Sequence, residues 1–95
     1  SDAMNLLFSD VYKASNSAIE LTDVPLTQGK LDAITDFIYN LGPNAFKDST
    51  LRKLINSNAD NTTIYNEFLK WNHVGGQVSE GLTKRRQYEA NLFIS

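Results

Sequence analysis

The sequence predicts an all-α fold, a single orthogonal bundle of about five helices occupying residues 4–95. Apolar residues recur at helical spacing along most of the chain. No stretch alternates apolar and polar residues for long enough to form a sheet. Capping and breaking residues divide the helical pattern at short intervals, which is how antiparallel and crossed helices are joined. A length of 95 residues holds one core and no more. Ser1-Asp2-Ala3 ahead of Met4 read as a remnant of an expression vector, with Met4 as the native start.

The first helix is expected from Met4 to Thr22. Leu7, Val11, Ala18 and Leu21 fall on one stripe, with Phe8, Tyr12 and Ile19 beside it. So broad an apolar surface suits a helix that packs against more than one neighbour. Pro25 ends it, because the residue before a proline is driven out of helical geometry. Thr27 caps the second helix, whose inward face carries Leu31, Ile34, Phe37, Ile38 and Leu41. Asp32 and Asp36 lie on the opposite face and are expected in solvent.

Gly42 stops the second helix and Pro43 forbids its continuation. Asn44-Ala45-Phe46 reads as a short turn that plants Phe46 in the core. Ser49 caps a brief third helix with Leu51, Leu54 and Ile55 inward. After the polar loop 56–61, Asp60 or Asn61 caps a fourth helix carrying Ile64, Phe68, Leu69 and Trp71. Gly75-Gly76 breaks the pattern. Ser79 then caps a last helix running to about Phe93.

Composition removes several functions. A net charge of −2 gives no long-range pull toward nucleic acid or an anionic membrane. With no cysteine and a single histidine, neither a disulfide framework nor a thiolate or multi-histidine metal site can be built, and no acidic cluster has calcium-loop spacing. No cofactor is expected. No apolar run approaches the ~18 residues that span a bilayer. There is no signal-peptide pattern either, so the chain is expected to be cytoplasmic as synthesised.

Few residues invite a chemical reading. His73, in a glycine-flanked loop, has no evident orienting carboxylate and is expected to be exposed. Trp71 either plugs the end of the bundle or offers a face for sugar stacking. Asn40, one turn from a helix end beside a glycine, either presents its amide to a ligand or serves loop hydrogen bonding. Ser79 is an N-cap, and the free N–H groups of its helix suit a carboxylate, although Glu80 competes for the same positive end. Lys84-Arg85-Arg86 is the strongest charge feature. Such a run is usually a solvated face, here partly neutralised by Glu89 at i+3 and i+4.

Several motifs occur in a telling order from Val24 to Phe93: Y-N-L-G-x-x-A-F, S-T-L-R-K-L, F-L-K-W-N, V-G-G and G-L-x-x-R-R. Each is weak alone. Together they resemble the C-terminal lobe of the phage-type lysozymes, muramidases that cut bacterial peptidoglycan. The helix before Val24 resembles the segment joining that family's two lobes only by position and apolarity.

The resemblance implies a catalytic glutamate on an upstream lobe. Glu20, Glu67, Glu80 and Glu89 do not stand in that glutamate's context, a helix end followed by a glycine-rich hairpin with Asp and Thr. Glycosidases of this kind use two carboxyls flanking the scissile bond, one of them with a raised pKa. No catalytic residue is therefore assigned. The resemblance does imply substrate-binding roles for Asn40, Ser79, Arg85 and Arg86. The matching arginines of the family pair with acids of the catalytic helix, so Arg85 or Arg86 is expected to have lost its partner.

Three functions fit these residues and this resemblance. The first is a truncated lysozyme that keeps a peptidoglycan-binding lobe and does not cleave alone. The second is an interaction module that dimerises or complements a separate catalytic lobe. The third is an active lysozyme fragment.

Overall fold

The computed structural model describes the backbone of residues 2–95 and the side chains of residues 9–95. The described residues form six helices and one small hairpin. They are α1 (Asp2–Leu21), α2 (Gln28–Leu41), α3 (Pro43–Lys47), α4 (Thr50–Asn56), α5 (Asn61–Leu69), strands β1 (His73–Val74) and β2 (Gln77–Val78), and α6 (Glu80–Ile94). The all-α bundle is the one expected, with two refinements. The turn at residues 44–46 is a complete turn of helix, started by Pro43 at the one end of a helix where a missing N–H costs nothing. Gly75-Gly76 does more than break a pattern. It closes a two-residue hairpin with φ of 57° and 82°, the doubly positive combination that glycine adopts without strain.

Helix α2 is the axis of the molecule, packed by α1 on one side, α6 on another and α3 at its end. Ala33, Ile34, Phe37 and Ile38 are buried along it. Phe37 is the hub, with its ring centroid 5.9 Å from Phe46, 6.0 Å from Phe68 and 5.3 Å from Trp71, all near edge-to-face. Phe68 in turn meets Phe93 at 5.8 Å, which ties α5 to α6. Trp71 therefore serves the core, although it also lines a shallow surface groove with Asn44 and Glu67.

Local chemistry sets the element ends as expected. The hydroxyls of Thr27, Ser49 and Ser79 accept from Lys30, Arg52 and Leu82 N–H groups at 3.3, 3.0 and 3.2 Å. The Gly42 N–H donates to the Ile38 carbonyl at 2.7 Å and closes α2. Asp60 holds the N-cap position of α5, its carboxylate accepting from the Thr63 hydroxyl and from no backbone N–H of its own helix.

Helix α1 departs from its expected stripe. Its inward face is made by small residues, Ala14 and Ala18, with Leu21 half-buried beyond them. Val11, Tyr12 and Ile19 are 41%, 69% and 55% exposed, so the large apolar side chains splay outward. Leu7 and Phe8 lie outside the residues whose side chains are described. The end of α1 is fastened by polar groups of α4. Arg52 Nε and Asn56 Nδ2 both donate to the Leu21 carbonyl, at 2.8 and 3.2 Å, and Asn56 Oδ1 accepts from the Asp23 N–H at 2.8 Å. The last carbonyls of a helix have no partner within it, and a cation suits that negative end.

Candidate functional site

Four of the residues singled out by sequence lie on the end of α2 and the first two turns of α6. Ser79 is the N-cap of α6, with its hydroxyl committed to Leu82 N–H and its own backbone N–H donating to the Asn72 carbonyl at 2.7 Å. Asn72 is fixed from the other side by Thr83, which accepts from its amide at 3.0 Å. Arg85 and Arg86 follow on α6, and Asn40 faces them from the last turn of α2.

Neither arginine is left without an acid, contrary to expectation, because both pair within this lobe. Arg85 forks onto Asp36, Nε to Oδ2 at 3.0 Å and Nη2 to Oδ1 at 2.9 Å, the bidentate geometry that arginine offers a carboxylate. Asp36 is not on a solvated outer face. The packing of α6 against α2 half-covers it, whereas Asp32, one turn earlier, does stay exposed and accepts from Gln28. Arg86 departs further from a solvated run, because it is completely buried. Its Nη2 donates to Glu89 Oε2 at 2.9 Å and to Asn40 Oδ1 at 2.8 Å, and its Nε lies 2.8 Å from Glu89 Oε1. The guanidinium sits over the Phe37 ring, 5.1 Å from its centroid. Arg86 thus has no surface of its own to offer a ligand. Lys84 alone of the three remains in solvent, near Glu80 at 3.7 Å.

Glu89, expected from its spacing only to neutralise part of a solvated charge run, proves to be the most enclosed acid of the site. It is fully buried between the two arginines and close enough to Asp36 for their carboxyls to share a hydrogen bond. Burial, reinforced by that hydrogen bond and by the Asp36 charge, pushes the Glu89 pKa up to about 9, against the pull of Arg86. Asp36 moves the other way. Burial would raise it, but the hydrogen bond from Glu89 and the Arg85 guanidinium outweigh that and hold its carboxyl below the usual range. Burial lowers the Arg86 pKa and Glu89 opposes this, while Asp36 raises that of Arg85. The cluster is therefore two acids with opposed pKa shifts, held by two guanidinium groups that stay charged.

The signal for Glu89 was visible as R-R-x-x-E, which places one acid within a helical turn of both arginines. What could not be read was the depth, which comes from α2 and α6 lying side by side.

Beside this cluster runs a groove of about 390 Å³ between α1, α2 and α6, lined by Val11, Thr35, Asp36, Tyr39, Arg85 and Tyr88 among others. Tyr39 and Tyr88 are 42% and 63% exposed along it. His73 lies in the exposed hairpin. Among the described residues no group of three or more His, Cys, Asp or Glu could hold a metal ion. None of the described helices is long and apolar enough to cross a membrane.

The chain belongs to the phage lysozyme family, whose model matches residues 1–89. That match takes in α1, for which the motifs gave only position and apolarity. The chain is 42% identical over 93 residues to the endolysin of Bacillus phage B103, covering 98% of this chain and 35% of that protein. Among solved structures it resembles the muramidase domain of SpmX from Asticaccaulis excentricus, with 31% identity and a TM-score of 0.87 over 99% of this chain and 66% of the other. It also resembles the endolysin from Escherichia coli O157:H7 phage FAHEc1, with 31% identity and a TM-score of 0.84 over 99% of this chain and 61% of that one. The chain thus spans about a third of the first curated relative and under two thirds of the second solved neighbour.

Proposed function

We propose that this chain is a lysozyme lobe that binds peptidoglycan of the bacterial cell wall and does not cleave it by itself. One observation carries the reading. Cleavage of a glycosidic bond needs a protonated carboxyl at the leaving oxygen and a second carboxyl across the sugar. Among the described residues the carboxyl with a clearly raised proton affinity is Glu89, and it is 0% exposed, enclosed by Arg86 and Asp36. Its pairing with Asp36 has the divergent pKa values of an acid and its partner, but no sugar oxygen can reach it. The binding surface is assigned to the end of α2 and the start of α6: Asn40, the Ser79 cap and the Arg85 head group, with Arg86 behind them.

The test is retention on purified sacculi, compared with Asn40→Ala, Ser79→Ala and Arg85→Ala, alongside turbidity of the same suspension. Retention that falls in the variants, with steady turbidity, is the expected outcome. Turbidity that drops at catalytic protein concentrations would sink the non-cleaving reading.

A second reading is favoured by the groove between α1, α2 and α6. It exposes Val11, Tyr39 and Tyr88 around a charge pair, and contiguous apolar surface marks interfaces. In this reading a separate lobe or a second copy lies there. Sedimentation gives a concentration-dependent mass if the occupant is a copy, and a monomer at all concentrations if it is not.

A further inference from the structure

Guanidinium nitrogens only donate, so the atom of Asn40 that lies 2.8 Å from Arg86 Nη2 must be the amide oxygen. The opposite orientation would set two donors against each other. Arg86 cannot swing away to relieve such a clash. It is 0% exposed, it meets Glu89 at 2.8 and 2.9 Å, and it is pressed on the Phe37 ring at 5.1 Å. Glu89 is equally enclosed and lies 3.9 Å from the Nε of Arg85, whose own fork is taken by Asp36. Asn40 itself is half-exposed at the end of α2, and its Nδ2 makes no hydrogen bond among the described residues. A rigid relay therefore runs from Glu89 through Arg86 to one edge of an amide whose other edge is free.

We propose that Arg86 is a positioning residue for Asn40: by holding the amide oxygen it leaves only N–H donors facing outward, so the end of α2 takes ligands through a hydrogen-bond acceptor, a carbonyl or carboxylate. The proposal rests on the reading that this end of α2 is part of the binding surface, and it names the chemistry taken there. In peptidoglycan two groups supply that acceptor, the acetamido carbonyl of the sugars and the carbonyls or carboxylates of the stem peptide.

Two variants test it. Asn40→Asp keeps an oxygen for Arg86 but turns the outward donor into an acceptor. It should fold as the parent does and bind at least tenfold more weakly, measured by NMR titration against a chito-oligosaccharide and against a disaccharide-peptide fragment of cell wall. Loss on both ligands identifies the acetamido group as the acceptor, and loss on the second alone identifies the stem. Binding by Asn40→Asp as tight as the parent's overturns the proposal.

The double variant Arg86→Met/Glu89→Leu replaces the buried pair by apolar side chains of similar volume, an exchange that folded proteins often tolerate. In it the side-chain ¹⁵N order parameter of Asn40 should fall while the backbone values of α2 do not. A purely structural role for Arg86 would leave the Asn40 amide as rigid as before, and that result also overturns the proposal. If the parent chain binds neither ligand, the binding reading fails on its own, and the order parameter still decides what Arg86 does.

Discussion

Glu89 is where the electrostatics of this protein become measurable. With its folded pKa raised to about 9, above the ordinary glutamate value of 4.5, Glu89 binds a proton more tightly folded than unfolded. Its contribution to stability is fully present below the unfolded value and is lost as pH rises through about 9. Asp36 works in the opposite sense: its lowered pKa contributes stability above the unfolded value, which is lost as pH falls through the folded one. The pair predicts a melting temperature that declines from mildly acidic to alkaline pH. In Glu89→Gln, whose amide mimics the protonated acid, the decline should flatten, with little loss of stability at neutral pH. Thermal melts across pH check this. A neutral-pH loss of several kcal/mol, roughly that of breaking a buried ion pair, would show that Glu89 faces Arg86 as a carboxylate instead. At this scale the sequence was partly legible. The i+3 and i+4 spacing of Glu89 to the two arginines stood out. That Asp36 joins them did not, because its place opposite the apolar stripe describes one helix, whereas α6 packs against the flank of α2 and covers that side.

At the scale of elements, caps and breakers were the legible part. Thr27, Ser49 and Ser79 cap as their hydroxyls suggest, and Gly42-Pro43 separates α2 from α3. Each of these signals acts within one turn of chain, so tertiary packing cannot disguise it. The hairpin at residues 73–78 escaped because two strands of two residues carry no alternation to detect. Another element-scale feature is Gly29 in the first turn of α2. A Cβ there would lie 2.7 Å from the Leu92 carbonyl oxygen and 3.0 Å from the Ser95 hydroxyl, so the end of α6 rests directly on α2 backbone. Alanine is ordinarily better than glycine inside a helix by about 1 kcal/mol. Here Gly29→Ala should instead destabilise, because a backbone carbonyl must move to make room. Urea unfolding of the variant gives the sign, and a gain in stability would refute the close approach.

Over the whole molecule, the bundle is held by α2 at its centre and by a different kind of contact on each side. Toward α5 and α6 the contact is aromatic, through Phe37, Phe68 and Phe93. Toward α1 it is a seam of small residues, completed by the Arg52 and Asn56 bonds to the Leu21 carbonyl. A seam of alanines lets two helices approach closely and leaves no slack for a larger side chain. Ala18→Leu should therefore cost about 1–3 kcal/mol by overpacking. Hydrogen exchange should show the loss concentrated in α1, and uniform exchange across the bundle would argue that α1 is no separate unit. The outward turn of Val11, Tyr12 and Ile19 was not legible, since a helix broad in apolar residues looks the same whichever side packs.

The glycine pair at residues 75–76 has a practical corollary. The two-strand ribbon it closes stands in solvent, with Val74 and Val78 62% and 65% exposed and its base clamped by the Ser79 N–H on the Asn72 carbonyl. Residues spliced between the two glycines would lengthen a loop whose ends are already held together, and such lengthening costs only about 0.6 kcal/mol per doubling. A fluorophore or affinity tag installed there would report on the molecule from outside, far along the chain from Asn40, without touching the seam between α2 and α6.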